Sequence, residues 1–159
     1  MKSIVLGIGN SILGDDGVGF RVIEALESAP PPGDITLTAC DVSGLAILDL
    51  IVNYDQAVLV DAIQTVGGVP GTVYRLELDN FNIPRHTSSP HDMDLPSALD
   101  LGRKMNLKIP DMISIVAIEI PDAYVFSHSL TSPVQAAVPE AVKLIRNILY
   151  INNAKMFDY

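Results

Sequence analysis

Several short runs in this chain are apolar at consecutive rather than alternating positions: "SIVLGI" at residues 3–8, "AVLVDA" at 57–62 and "MISIVAIEI" at 112–120. A strand with one wet face alternates, whereas a strand covered on both faces does not, so these runs require layers of other structure above and below them. "DITLTA" and "GTVYRLEL" add two further strand segments rich in β-branched residues. Helical periodicity fills the intervals. Val18, Val22, Ile23 and Leu26 form one stripe, and Val134, Val138, Val142, Ile145 and Leu149 form a longer one. The second helix opens on "SPVQ", which predicts Ser132 as the cap, Pro133 at the first helical position and Gln135 completing a capping box. Strands alternating with helices imply an α/β fold, three-layer α/β/α, with a mostly parallel central sheet of about five strands. At 159 residues and 48% hydrophobic, the chain is expected to form a single domain over 1–159.

Composition narrows the chemistry. The net charge of −9 leaves no clustered Lys and Arg for phosphate backbones, so neither nucleic acid nor an acidic membrane is expected as a partner. The apolar run from Ile4 to Ile8 is too short for a membrane span or the apolar region of a signal peptide, which implies a cytoplasmic protein. The single cysteine, Cys40, excludes an internal disulfide and multi-cysteine metal sites, leaving Asp, Glu and His as metal donors.

The segment "GIGNSILGDDGVG", residues 7–19, stands where a nucleotide-binding chain would hold phosphates. Gly9 and Gly14 have phosphate-loop spacing, but Asp15 and Asp16 occupy the positions of the Lys and the hydroxyl, and Ile12 replaces the third glycine of the dinucleotide pattern. A carboxylate about 4 Å from a phosphate costs about 4 kcal/mol at an effective dielectric of about 20. The loop therefore presents a carboxylate. One of the two Asp is expected to cap the following helix, and the other to face the ligand region beyond the strand ends.

Two further residues share that edge. Asp61 ends the apolar run "AVLVDA", and His91 lies in "SSPHDMDL", where Ser89, Pro90 and Asp92 predict a capped helix start. The positive end of that helix would keep the His91 ring neutral and able to donate a lone pair. Asp16, Asp61 and His91 make two carboxylates and one imidazole, the composition of a reactive metal site with open positions. His86 and His128 are expected to be solvated or to line the cleft. Cys40 reads as a small buried hydrophobe rather than a nucleophile.

With "LGIGNSILGDDGVG", "LVDAI" and "SPHDMDL" in this order and at these separations, the chain resembles the hydrogenase maturation endopeptidases over nearly its whole length. The resemblance implies an aspartyl-type endopeptidase that removes the C-terminal extension of a nickel-iron hydrogenase large-subunit precursor after nickel insertion. It implies that Asp16, Asp61 and His91 read nickel contributed by the nickel-loaded precursor, with no permanently bound cofactor. Family members carry Glu or Asp at the first position, which Asp16 satisfies. "ACDVSG" departs from the family's D-G-G-T type stretch, with Asp41 shifted relative to its acidic residue. Two other readings stay open: a stand-alone metallohydrolase carrying its own ion, and a noncatalytic nickel sensor or assembly chaperone. The segments "DNFNIPRHTSSP" and "PDAYVFSHSLTSP" are expected to border the substrate groove, with Tyr124 and Phe126 contacting the partner.

Overall fold

The structure is a computed structural model and describes residues 1–42, 45–78, 95–121 and 125–155. Elements follow in the order β1 (Lys2–Ile8), α1 (Val18–Ser28), β2 (Asp34–Cys40), α2 (Leu45–Ile51), β3 (Gln56–Ile63), β4 (Val73–Glu77), α3 (Leu95–Lys104), β5 (Met112–Glu119) and α4 (Ser132–Lys155). The five strands form one sheet in the order β2-β1-β3-β5-β4. All neighbours are parallel except β4, which runs antiparallel to β5.

The consecutive apolar residues divide between two cores. Val5, Val58, Val60, Val116 and Ile118 meet α1 and α4 on one face. Ile4, Leu6, Leu59, Ile113 and Ile115 meet α2 and α3 on the other. This is the three-layer arrangement expected of strands with no wet face. The helical stripes behave as read: Val22 and Leu26 of α1, and Ile145 and Leu149 of α4, are each at most 2% exposed. Burying a side chain of that size stabilises the fold by about 1.5–3 kcal/mol.

The opening of α4 differs from expectation by one position. Its first backbone bond runs from Gln135 N–H to the Thr131 carbonyl at 2.8 Å, so Thr131, not Ser132, takes the position before the helix. Thr131 is drawn there by a partner distant in sequence, described below.

The strand order determines where a ligand can sit. From β1 the chain passes outward through α1 to β2, then returns through α2 to β3 on the opposite side of β1. The two crossovers diverge between β1 and β3, leaving a gap at the carboxyl ends of those strands, the usual ligand position in open α/β sheets. Beyond β3, the loop into β4 is pinned by Glu119, which is 1% exposed. Its carboxylate accepts hydrogen bonds from Thr65 N–H at 2.6 Å and Thr65 Oγ1 at 2.8 Å. Among the described residues, no helix is long and apolar enough to cross a membrane.

Candidate functional site

Two glycines bring the loop after β1 against the strand ends. Gly9 has φ +145°, in the region that favours glycine, and a Cβ there would lie 2.0 Å from the Asp16 carbonyl oxygen. Gly19, in the first turn of α1, approaches so closely that a Cβ would lie 2.5 Å from the Ile8 carbonyl oxygen and 3.0 Å from that of Val60. The start of α1 thus rests on the ends of both β1 and β3. Between the two glycines, Gly14–Gly17 forms a 3-10 turn in which Asp15 and Asp16 are 5% and 3% exposed.

The two carboxylates have different tasks, and neither caps α1. The cap position is Gly17, which makes no side-chain cap bond. The extra 3-10 turn moves both Asp side chains upstream of that position. Asp16 turns inward: its Oδ2 accepts from Asn10 N–H at 2.8 Å, while its own N–H donates to the Leu13 carbonyl at 3.2 Å. Asp15 reaches across the molecule instead. Its Oδ1 accepts from Thr131 N–H at 2.7 Å and its Oδ2 from Thr131 Oγ1 at 2.8 Å.

Asp61 reaches the same edge from β3. Val60 pairs with Gly7 of β1, so Asp61 stands level with Ile8, the last residue of that strand. Strand alternation turns it toward the α2 and α3 face, opposite to Val58 and Val60. Its Oδ1 accepts from Ala62 N–H at 2.8 Å. On the other side of β1, Cys40 ends β2 and pairs with Ile8, with exposed Asp41 following it. Burial pushes the Cys40 thiol up from its ordinary value, a bond with the Val42 backbone opposes this, and the negative charges of Asp41 and Asp61 push it further up. A thiol held protonated is a poor nucleophile at neutral pH, which agrees with reading Cys40 as a packing residue.

The structure therefore brings Asp16 and Asp61 to one edge, with Asp41 and Asp61 both close enough to Cys40 to act on its thiol. His91, the third candidate, lies outside the described residues, as do His86, Tyr124 and the predicted helix start at Ser89, Pro90 and Asp92. Among the described residues, no three His, Cys, Asp or Glu side chains are grouped to hold a metal ion. His128 is exposed, and its carbonyl accepts from Arg21 Nη2 at 2.6 Å. Phe126 is 82% exposed, so it does not pack locally. Leu13 forms a parallel bridge with Ser127, which sets Phe126 beside the half-exposed Ile12 of the same loop. A cavity of about 610 Å3 lined by Pro31, Asp34, Arg146 and Tyr150 lies at the opposite edge, away from these acids.

Sequence reasoning missed the partner of Asp15, because Thr131 is 116 positions away and ordinary in its local context.

A family model described as hydrogenase maturation protease matches residues 20–148. The chain belongs to the hydrogenase maturation protease family. The matched span includes Asp61 and the position of His91 and begins just after the loop that carries Asp16. Among curated relatives, the hydrogenase 2 maturation protease of Escherichia coli K12 is 28% identical over 149 residues, covering 91% of this chain and 88% of the relative. The hydrogenase expression/formation protein HupD of Rhizobium leguminosarum bv. viciae is 28% identical over 153 residues, covering 93% and 74%. The solved structure of the hydrogenase maturating endopeptidase HybD from E. coli superposes with a TM-score of 0.78 at 28% identity, covering 96% of this chain and 94% of that one. The α/β/α architecture is thus the architecture of this protease family.

Proposed function

We propose that this protein is the endopeptidase that removes the C-terminal extension of a nickel-iron hydrogenase large-subunit precursor, acting in the cytoplasm once the precursor carries nickel. The observation that carries the reading is that Asp61 stands level with the end of β1, at the strand ends on which the start of α1, just after Asp16, rests, in a chain of this family. His91 is the third ligand in the proposal. Two carboxylates and an imidazole suit a borderline divalent ion such as nickel, and the acidity of the edge favours a partner that brings a cation.

The proposed chemistry starts from docking. Nickel already held by the precursor takes its remaining ligands from Asp16, Asp61 and His91, which fixes the scissile peptide at a set distance and supplies proximity and orientation. A water molecule adds to the scissile carbonyl carbon while Asp16, as general base, accepts its proton. The carbon–nitrogen bond then breaks and the departing amine takes up that proton. The exposed Phe126, beside Ile12 on the loop of Asp16, contacts the precursor near the cut.

Intact mass of the precursor, followed with and without nickel, tests the reading. Loss of a C-terminal fragment only from the nickel-loaded precursor is expected, with the rate falling at least about 100-fold for Asp16→Ala, Asp61→Ala and His91→Ala. Full-rate cleavage by Asp16→Ala would remove it from the mechanism. Nickel-dependent binding without any mass change would favour a sensor or chaperone, and nickel bound by the purified protein alone would favour a stand-alone metallohydrolase.

A further inference from the structure

Resting on that reading, we infer that Asp15 is a positioning residue: its carboxylate, engaged on both oxygens by Thr131, holds the turn that aims the adjacent Asp16 at the strand ends.

Asp16 is oriented by its own loop, through Asn10 N–H on its carboxylate and the Leu13 carbonyl on its amide. Its accuracy therefore depends on what holds residues 10–16. On the inner side the loop rests on β1 and β3 through the close approach at Gly19. The outer side is held by the segment leading into α4. Gly14 N–H donates to the Ser127 carbonyl at 2.8 Å, and Ser127 N–H donates to the Ile12 carbonyl at 3.0 Å. Arg21 holds the His128 carbonyl, and Asp15 closes the seam on Thr131 N–H and Oγ1. Asp15 contributes its side chain to this seam from inside the 3-10 turn itself, one peptide from Asp16. Hydrogen bonds accepted by a carboxylate are stronger than neutral ones, and a buried carboxylate stripped of its donors is costly, so losing Thr131 Oγ1 displaces the turn.

The same chemistry occurs a second time, where Glu119 takes Thr65 N–H and Oγ1 in the loop after β3, on a segment separate from the turn that carries Asp16. This second pair supplies the control. Thr131→Val and Thr65→Val each delete one hydroxyl from a buried carboxylate, and both are expected to lower the melting temperature by similar amounts. Initial rates of cleavage of the nickel-loaded precursor, measured where circular dichroism shows every variant folded, separate positioning from stability. Thr131→Val should lower kcat at least about tenfold with KM within about twofold, because a shift on the order of 1 Å in a reacting group costs up to about 100-fold. Thr131→Ser, which keeps the hydroxyl, should restore kcat to within about threefold of the native value. So should Asp15→Asn, whose amide can donate to Thr131 Oγ1 while its oxygen accepts from Thr131 N–H. Thr65→Val should leave kcat unchanged. Unchanged kcat for Thr131→Val, or an equal loss for Thr65→Val, would overturn the inference. Absence of cleavage by the native protein would instead overturn the function on which it rests.

Discussion

Among the described residues, the buried polar side chains at the carboxyl edge of the sheet are Asp15, Asp16 and Glu119, whereas those toward the amino edge are Ser3, Gln56 and Ser114. One edge buries carboxylates and the other only neutral groups. Parallel strands joined by helices send helix N-termini to the carboxyl edge, where unpaired backbone N–H groups and the positive dipole end favour anions. Helix C-termini gather at the other edge. Arg103 and Lys104 close α3 there, Arg146 of α4 donates to the Ala29 carbonyl at the end of α1, and Lys2 and Lys108 flank Asp55. The buried carboxylates are therefore not spread evenly: among the described residues Asp15, Asp16 and Glu119 all lie at the carboxyl edge. The sorting follows from chain direction, and the proposed site lies on the edge that the fold already made receptive to acid.

Substitution at the joint between loop and strands should break this contrast most severely. Gly19→Ala forces a Cβ against the backbone oxygens of Ile8 and Val60, neither of which can yield, so α1 must lift from the sheet. Overpacking of this kind costs about 1–3 kcal/mol, a fall in melting temperature on the order of 5–10 °C. Precursor cleavage should fall as well, since Asp16 moves with α1. A thermal melt paired with the cleavage assay reads both effects, and retention of full activity would show that the edge tolerates displacement.

At the amino edge a core substitution of similar size should leave cleavage alone. Gln56 is fully buried in β3; its Oε1 accepts from Ser3 Oγ at 3.2 Å, while its Nε2 finds no partner among the described residues. An unmet buried donor costs about 1–3 kcal/mol, and Met has a similar volume. Gln56→Met is therefore expected to keep the unfolding free energy, read from denaturant melts, or raise it by up to about 1 kcal/mol, with cleavage unchanged. A clear loss of stability would mean that the Ser3 contact outweighs the unmet donor.

The smallest effect belongs to Asp55, just before β3. The Lys108 ammonium at 2.8 Å, with the Lys2 backbone N–H, holds its carboxyl below the ordinary value of 3.8. A carboxyl depressed in the folded state stabilises above its unfolded value and loses that contribution as pH falls through the folded one. The melting temperature of Asp55→Asn should accordingly sit slightly below the native protein at pH 7 and converge with it below about pH 3.8, or in high salt. A gap that persists in acid would assign the effect to the neutral hydrogen bonds.

The layered fold was legible because its signal is local. Val58, Leu59 and Val60 declare a strand covered on both faces, and Val138, Ile145 and Leu149 declare one helix face, which runs on through Pro139. Strand order was not legible, since nothing in "GTVYRLEL" says that β4 turns back along β5. Asp16 and Asp61 could be singled out as candidates from the loop after β1 and the end of β3. Their neighbour Asp15 could not be sorted from Asp16, because the difference lies in Thr131, a residue with no marking of its own. The one-residue displacement of the α4 start has the same origin: a capping pattern at Ser132 was outweighed by a tertiary bond one position earlier.

The parallel pairing of β1 with β3, and the bond from Asp15 to Thr131, also bear on the order in which the protein is made. Ser3 pairs with Gln56, so the gap that receives Asp16 has no second wall until β3 has been synthesised, and the turn has no outer support until residue 131. Contacts of such sequence separation are slow to form and form late. A ribosome-bound chain therefore carries Asp16 and Asp61 of the proposed site long before it can hold them in place.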